Sequence, residues 1–267
     1  MPSIAKFSAV RFQNAQKHEV EDVLTTEGPL QILVNDTAFS MTMRTPGRDM
    51  ELVRGLLYSE DVCDAQAKSY KSMTSCIDEN GDISAVNVLV NPSELGKGYQ
   101  SERSLMSVSS CGICGKKDTE GMLPEGTPLQ CDVQLSSEDL GSYFDQMANL
   151  QDTFLKSGGS HAASAFSLKG EMLSLQEDIG RHNAVDKVVG DLLLNNQLDQ
   201  ASVLLVSGRV SYEIISKAFR ANFPFLAAVS APSSMAVEFA EQLGICLLAF
   251  CREGKCTVYT YPQRVRV

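Results

Sequence analysis

The sequence predicts an α/β protein with a smaller α+β N-terminal domain, and three observations carry that prediction. From residue 201 onward, short apolar runs (202–206, 225–229 and 245–250) alternate with amphipathic helical stretches, the pattern of a parallel sheet with helical crossovers. Between residues 19 and 90, segments of period-two hydrophobicity flank a single helical segment. Between these regions, a glycine-, serine- and lysine-containing stretch around 96–120 has no periodic signal. The domain boundaries that follow are 1–105 for the small α+β domain, 106–120 for a mobile cysteine loop and 121–267 for the α/β domain.

In chain order, Glu19 to Leu24 reads as a strand. Pro29 to Val34 and Ala38 to Arg44 alternate around Asn35-Asp36, a hairpin signal. Thr45-Pro46-Gly47 stops the second strand. Asp49 to Glu60 is a helix with Met50, Val53, Leu56 and Leu57 on one face and Asp49 as its cap. Ile83 to Val90 is the next strand, and Gly96-Lys97-Gly98 begins the linker. Glu138 to Thr153 predicts one helix, with Leu140, Phe144, Met147 and Leu150 on its apolar side. Ala163 to Leu168 and Met172 to Gln176 form a hairpin, followed by a helix burying Val185, Val188, Val189 and Leu192. Helices over 212–221 and 235–243 then separate the three apolar strands, and 256–260 returns as a last strand.

Composition narrows the functional classes. The chain has 267 residues, 43% hydrophobic and 21% charged, which is ordinary for a folded globular protein. Its net charge of −10 argues against general binding to nucleic acid or to an anionic membrane, but leaves a small anionic ligand open. No apolar run approaches the roughly 20 residues of a membrane span. The first residues lack the apolar segment of a signal peptide, so a cytoplasmic location is expected. In that setting the eight cysteines are expected to be reduced.

Cys111 and Cys114 lie in Ser109-Ser110-Cys111-Gly112-Ile113-Cys114-Gly115-Lys116-Lys117. Two glycines disfavour both helix and strand, and the neighbouring ammonium groups favour the reactive thiolate. Four readings of this pair are open besides a structural turn. A zinc site needs two further ligands, and the sequence has no second CxxC and only widely spaced histidines, His18, His161 and His182. A zinc deaminase site needs HxE ahead of the cysteines, which is absent. A thioredoxin-like pair should open a helix after a strand. A sulfur carrier needs a mobile, accessible thiolate, which this loop offers.

Ligands of open α/β sheets bind outside the carboxyl ends of the strands. There the sequence places Ser207-Gly208-Arg209, Ser233-Ser234, and Arg252 with Lys255. Small residues, free helix N–H groups and cations suit a phosphate or pyrophosphate; ordinary turns and caps are the alternative. Neither a Walker A pattern nor GxGxxG is present. Arg181-His182 before a helix would line an anionic pocket or trade protons near the thiol, or serve structure alone. Asp178 and Asp186 read as caps or as partners of Arg181 and Lys187, a structural role. Cys246 and Cys251 should point to opposite faces of one strand and serve packing.

Several of these stretches together resemble the formate dehydrogenase accessory sulfurtransferases, the FdhD/NarQ family. They are the cysteine loop, Gly158-Gly159-Ser160-His161-Ala162-Ala163 and Glu177-Asp178-Ile179-Gly180-Arg181-His182-Asn183-Ala184-Val185-Asp186-Lys187. Ser207-Gly208-Arg209-Val210-Ser211, Ser230-Ala231-Pro232-Ser233-Ser234, Phe250-Cys251-Arg252, and Thr45-Pro46 followed by the Glu51 to Glu60 helix complete the set. The resemblance implies a cytidine-deaminase-like C-terminal domain without the zinc ligands, hence no metal site. It implies sulfurtransferase activity: Cys111 accepts a persulfide sulfur from a cysteine desulfurase, and Cys114 assists. The sulfur then passes to the molybdenum (or tungsten) bis-molybdopterin guanine dinucleotide cofactor, before the cofactor enters the formate dehydrogenase catalytic subunit. The cofactor-binding segment would be Phe250, Cys251, Arg252, Glu253, Gly254 and Lys255, with Ser207, Gly208, Arg209, Ser233 and His182 contributing, and a guanine nucleotide could occupy the same place. A homodimer is also implied. This chain departs from the family pattern at Cys251 and at Glu253, an acid that weakens a phosphate site. The rival readings are a cofactor-binding chaperone without sulfur chemistry and a zinc protein bridged across a dimer.

Overall fold

Two larger β-sheets, the first with one apolar core and the second with a core on each face, meet along a pair of helices. The computed structural model of the chain describes residues 1–65, 72–100 and 123–267. The cysteine loop with Cys111 and Cys114 lies outside the described residues. The chain opens with a ribbon, β1 (Ile4–Gln13) and β2 (Gln16–Thr25), paired over ten residues and turned by Asn14 and Ala15, both at positive φ. The strand expected at 19–24 is therefore longer and has a partner. The partner escaped the sequence reading because β1 is largely exposed on both faces, so no single apolar face repeats along it.

The first sheet has the order β4-β3-β6-β5. β3 (Gly28–Val34) and β4 (Thr37–Arg44) form the expected hairpin, with Asn35 and Asp36 at φ 52° and 63°. Such left-handed pairs match the twist of the flanking strands, and Asn and Asp tolerate them. β6 (Ile83–Val88) joins β3 in parallel, and β5 (Met73–Ile77) covers its other edge. Leu30, Ile32 and Val34 point from β3 into a core completed by Leu52, Val53 and Leu57 of α1 (Asp49–Ser59). Asp49 is not the cap of α1. Arg48 occupies that position without a side-chain cap bond, and Asp49 instead receives Arg44 Nε at 2.6 Å, both side chains buried. The stretch read as a linker begins docked: Gly96 and Gly98 donate to Val62 O and Asp61 O, each at 2.9 Å.

The second sheet has six strands in the order β13-β12-β11-β10-β8-β9. β10 (Val203–Val206), β11 (Phe225–Ala228) and β12 (Cys246–Arg252) are parallel, as the β-loop-α repeat predicts. β8 (His161–Phe166) and β9 (Met172–Asp178) continue the sheet as an antiparallel hairpin, and β13 (Lys255–Val258) closes the far edge. One face carries α4 (Arg181–Leu194), α5 (Tyr212–Arg220) and α6 (Ser234–Leu243), and Val185, Val188, Val189 and Leu192 are fully buried there. The other face packs against α2 (Ser137–Asn149) through Leu140, Tyr143 and Met147. Beside it, β7 (Leu135–Ser136) pairs in parallel with β14 (Val265–Arg266).

Two expectations are corrected on this face. The helix expected over 138–153 ends at Asn149, Leu150 is 55% exposed, and α3 (Asp152–Ser157) starts anew. The Glu177 carboxylate accepts the Thr153 and Phe154 N–H groups, each at 2.8 Å, and so caps the second helix from β9. Cys246 and Cys251 do not face opposite ways. A bulge between Ala249 and Arg252, with Phe250 at φ 54°, shifts the alternation by one residue and turns both thiols into the same core.

The two halves join where α1 crosses α4. Gly55 rests on the Asp186 backbone and Gly190 on the Glu51 backbone, and a Cβ on either glycine would overlap a carbonyl oxygen. Lys187 adds a polar tie. Its Nζ pairs with Asp178 Oδ2 at 2.7 Å and donates to Thr45 O at 2.9 Å. Asp178 also accepts from Thr45 N, Gly180 N and Asn183 Nδ2. No helix among the described residues is long and apolar enough to cross a membrane.

Candidate functional site

The parallel strands end in three loops that touch one another. Val210 N donates to Ala231 O at 3.1 Å, Ser233 N to Val210 O at 2.9 Å, and Phe250 N to Ser230 O at 3.4 Å. Ser207–Arg209, Ser233 and Phe250–Lys255 therefore share one edge of the sheet. β11 separates β10 from β12, so their ends lie about 10 Å apart.

Each residue at this edge has a distinct local role. Ser207 Oγ accepts from Ala162 N at 2.9 Å and ties β10 to β8. Gly208 sits against His161 and Arg181, and a Cβ there would come within 3.2 Å of His161 Nδ1. Arg209 is exposed. Ser233 caps α6 by accepting from Ala236 N at 3.2 Å. Arg252, Glu253, Gly254 and Lys255 form an exposed two-residue turn, with Glu253 at φ 54° and Gly254 at φ 69° and with Arg252 paired to Lys255. Two cations thus flank one carboxylate at the tip. Phe250 is 40% exposed beside them, while Cys251 is buried under the turn.

His182 lies on the β8 side of this edge, in a cleft of about 440 Å³ between the two halves. Met43 of β4, His161 of β8, Arg181 and His182 of α4, and Glu213 and Lys217 of α5 line it. His182 Nε2 is 3.1 Å from Ser211 Oγ and 3.5 Å from Glu213 Oε2. Burial pushes the Glu213 carboxyl up, but hydrogen bonds from His182 and Ser211 outweigh it and hold Glu213 below the ordinary value. Burial, then the charges of Arg181 and His182, holds His161 below its ordinary value. Arg181 Nε is enclosed at the start of α4 with no hydrogen-bond partner. With the free N–H groups of that helix, it makes this wall of the cleft receptive to an anion.

At the cleft floor, Lys217 Nζ pairs with both Asp186 oxygens at 2.7 and 2.9 Å. Burial works against the Lys217 charge, but Asp186 and Glu60 more than reverse this, and the ammonium is held above its ordinary value. Of the two acids expected to cap or to pair with Arg181 and Lys187, Asp178 pairs with Lys187, whereas Asp186 turns to Lys217. Glu213 and Lys217 were missed in the sequence. The one available signal was that Glu213, in the first turn of α5, follows directly on the Ser207–Ser211 loop; Lys217, in the last turn, carried none. Among the described residues no group of three His, Cys, Asp or Glu side chains is placed to hold a metal ion.

Comparison with known proteins covers nearly the whole chain. A family model described as the FdhD/NarQ family matches residues 25–266. A relative from Sulfolobus acidocaldarius, named sulfur carrier protein FdhD, is 37% identical over 263 residues, 98% of each chain. One of the same name from Mycobacterium tuberculosis is 41% identical over 258 residues, 91% of this chain and 92% of its own. A crystal structure from Desulfotalea psychrophila, assigned to the formate dehydrogenase accessory proteins, superposes with a TM-score of 0.76. It covers 99% of this chain and 100% of its own; at 21% identity this likeness shows the fold.

Proposed function

Because the chain belongs to the FdhD/NarQ family, we propose that it is a sulfur carrier serving formate dehydrogenase. The observation that carries this reading is end-to-end likeness to relatives named sulfur carrier proteins, in a chain that has a Cys-x-x-Cys loop followed by two lysines. The Cys111 thiolate attacks the terminal sulfur of a cysteine persulfide on a cysteine desulfurase. The desulfurase S–S bond breaks, its cysteine leaves as a thiolate, and Cys111 becomes the persulfide. Cys114 stands three residues away to assist release. The sulfur is then handed to a molybdenum or tungsten bis-molybdopterin guanine dinucleotide bound as substrate, before insertion into the formate dehydrogenase catalytic subunit.

In this reading the sheet edge holds the nucleotide ends of that substrate. The exposed Arg252 and Lys255 meet diphosphate charge, and the cleft with Arg181, His161 and His182 takes an anionic portion. The fold is a cytidine-deaminase-like domain adapted to binding, the protein acts in the cytoplasm, and two copies present two such edges to the two guanine nucleotides.

Intact-protein mass after incubation with a cysteine desulfurase and cysteine tests the reading. The wild type gains one sulfur that a reducing agent removes, and Cys111→Ala gains none. No gain by the wild type with a competent desulfurase refutes sulfur carriage and leaves cofactor binding without sulfur chemistry.

A further inference from the structure

The hairpin that carries Arg252 and Lys255 has two cysteines just inside its turn. Cys251 ends the buried part of β12, and Cys256 follows Lys255 on β13. Arg252 pairs with Lys255, and Ala249 pairs with Thr257. Between those pairs β12 contributes Phe250 and Cys251, while β13 contributes Cys256 alone. This is a bulge in which the left-handed Phe250 turns outward, and Cys251 and Cys256 both pack on the core beneath the sheet. Opposed residues of antiparallel strands have Cα atoms about 4.5–5.5 Å apart. That separation lies within the roughly 4.4–6.8 Å that a disulfide spans.

Both thiols are free in this structure. The other cysteines nearby are engaged elsewhere: Cys246 Sγ donates to Tyr261 O at 3.6 Å and Cys131 Sγ to Val133 O at 3.7 Å. Cys251 is 4% exposed, and Cys256 is partly open to solvent. The sulfur-carrier reading counts Cys251 within the segment that meets the cofactor, but gives neither thiol a chemical step.

We propose that Cys251 and Cys256 are a modification site, a cross-strand dithiol that a low-molecular-weight disulfide converts into a covalent clamp beneath the Arg252–Lys255 turn. Cys256, the more accessible thiol, loses its proton and attacks one sulfur of the small disulfide. That S–S bond breaks and one small thiolate leaves. Cys251 then loses its proton and attacks Cys256 Sγ, the mixed disulfide breaks, and the second small thiolate leaves. Two cysteine thiols are oxidised, one small disulfide is reduced to two thiols, and the two protons pass to the leaving groups. Burial holds the Cys251 thiol up at about 12 and raises Cys256 as well, so both steps are slow near neutrality and quicken in mildly alkaline buffer. The clamp replaces a bulged hairpin end that can splay with one that cannot, and it fixes the spacing of the two cations at the tip.

The test is peptide mapping of the full chain after incubation with oxidised glutathione. Trypsin cuts after Arg252 and after Lys255, so the peptides 221–252 and 256–264 separate unless a disulfide joins them. The expected product is that linked pair, with fragmentation placing the bond at Cys251, release by dithiothreitol, and loss of the product in Cys251→Ala and in Cys256→Ala. Because the map is made on wild-type protein, the result does not depend on a variant folding. Glutathione adducts without the linked pair, or a bond from Cys256 to Cys246 or Cys131, would overturn the proposal. Failure here leaves sulfur loading at Cys111 untouched, since that residue lies on a different peptide.

Discussion

Replacing Lys187 with methionine should destabilise the protein more than any surface substitution. Lys187 is 2% exposed and Asp178 is 0% exposed. Methionine nearly reproduces the length of the lysine stem, so packing changes little and the loss is electrostatic. It removes the 2.7 Å ion pair and the donors to Thr45 O and Glu177 O. Removing one partner of a buried pair costs about 3–5 kcal/mol, because the other charge stays buried. Three N–H donors still face Asp178, which places the expected loss near the lower end, about 3 kcal/mol. For a chain of this size that corresponds to roughly 6–12 °C in Tm. Urea denaturation reads the free energy directly. The double variant Asp178→Asn with Lys187→Met should be milder than the sum of the two singles, since together they leave neither charge behind. A Lys187→Met loss below about 1 kcal/mol, or strict additivity in the double variant, would refute the view that this pair ties Thr45 to α4.

Gly55→Ala should cost at least about 2 kcal/mol by urea denaturation, because its methyl group meets the Asp186 carbonyl. Gly141→Ala, in open space on α2, should stabilise by up to about 1 kcal/mol. Equal effects at the two glycines would contradict the close helix crossing. His161 is held below its ordinary value of 6.5, so the unfolded chain takes up the proton first as pH falls. Its contribution to stability is complete above 6.5 and declines on acidification below it; His161→Gln should therefore flatten the fall in urea midpoint between neutral and mildly acidic buffer, and an unchanged slope would count against it. Glu253→Asn keeps a residue that tolerates φ 54° and removes the carboxylate between Arg252 and Lys255. At about 6 Å through water one charge is worth roughly 0.7 kcal/mol, so titration with guanosine diphosphate should show about threefold tighter binding. Unchanged affinity would remove the turn from the nucleotide site.

The parts of this fold that were legible in the sequence are those with a turn signal or a repeating apolar pattern of their own. The 28–44 hairpin announces itself through Asn35-Asp36, and the β10–α5–β11–α6–β12 run through alternating apolar segments. The exposed β1 strand was not legible, because both its faces meet solvent and no alternation develops. The break at Leu150 depends on Glu177, a carboxylate from another element. Asp49 looked like a cap by position and type, yet Arg44 claims its carboxylate. At the candidate site, the sheet-edge loops follow from topology. The cleft does not: its floor pair, Asp186 and Lys217, lies 31 residues apart, and Met43 comes from the other half.

The contact of Gly55 with Gly190 also constrains how the chain is made. α1 leaves the ribosome early, with one face suited to its own sheet and the other formed around a bare stretch of backbone that only α4 can cover. About 135 residues separate the two glycines. At ordinary translation rates of about 5–20 residues per second, α1 waits on the order of ten seconds for its partner. During that interval the N-terminal sheet exists with its backbone groove open. A slow stretch of synthesis before residue 181 would lengthen this period.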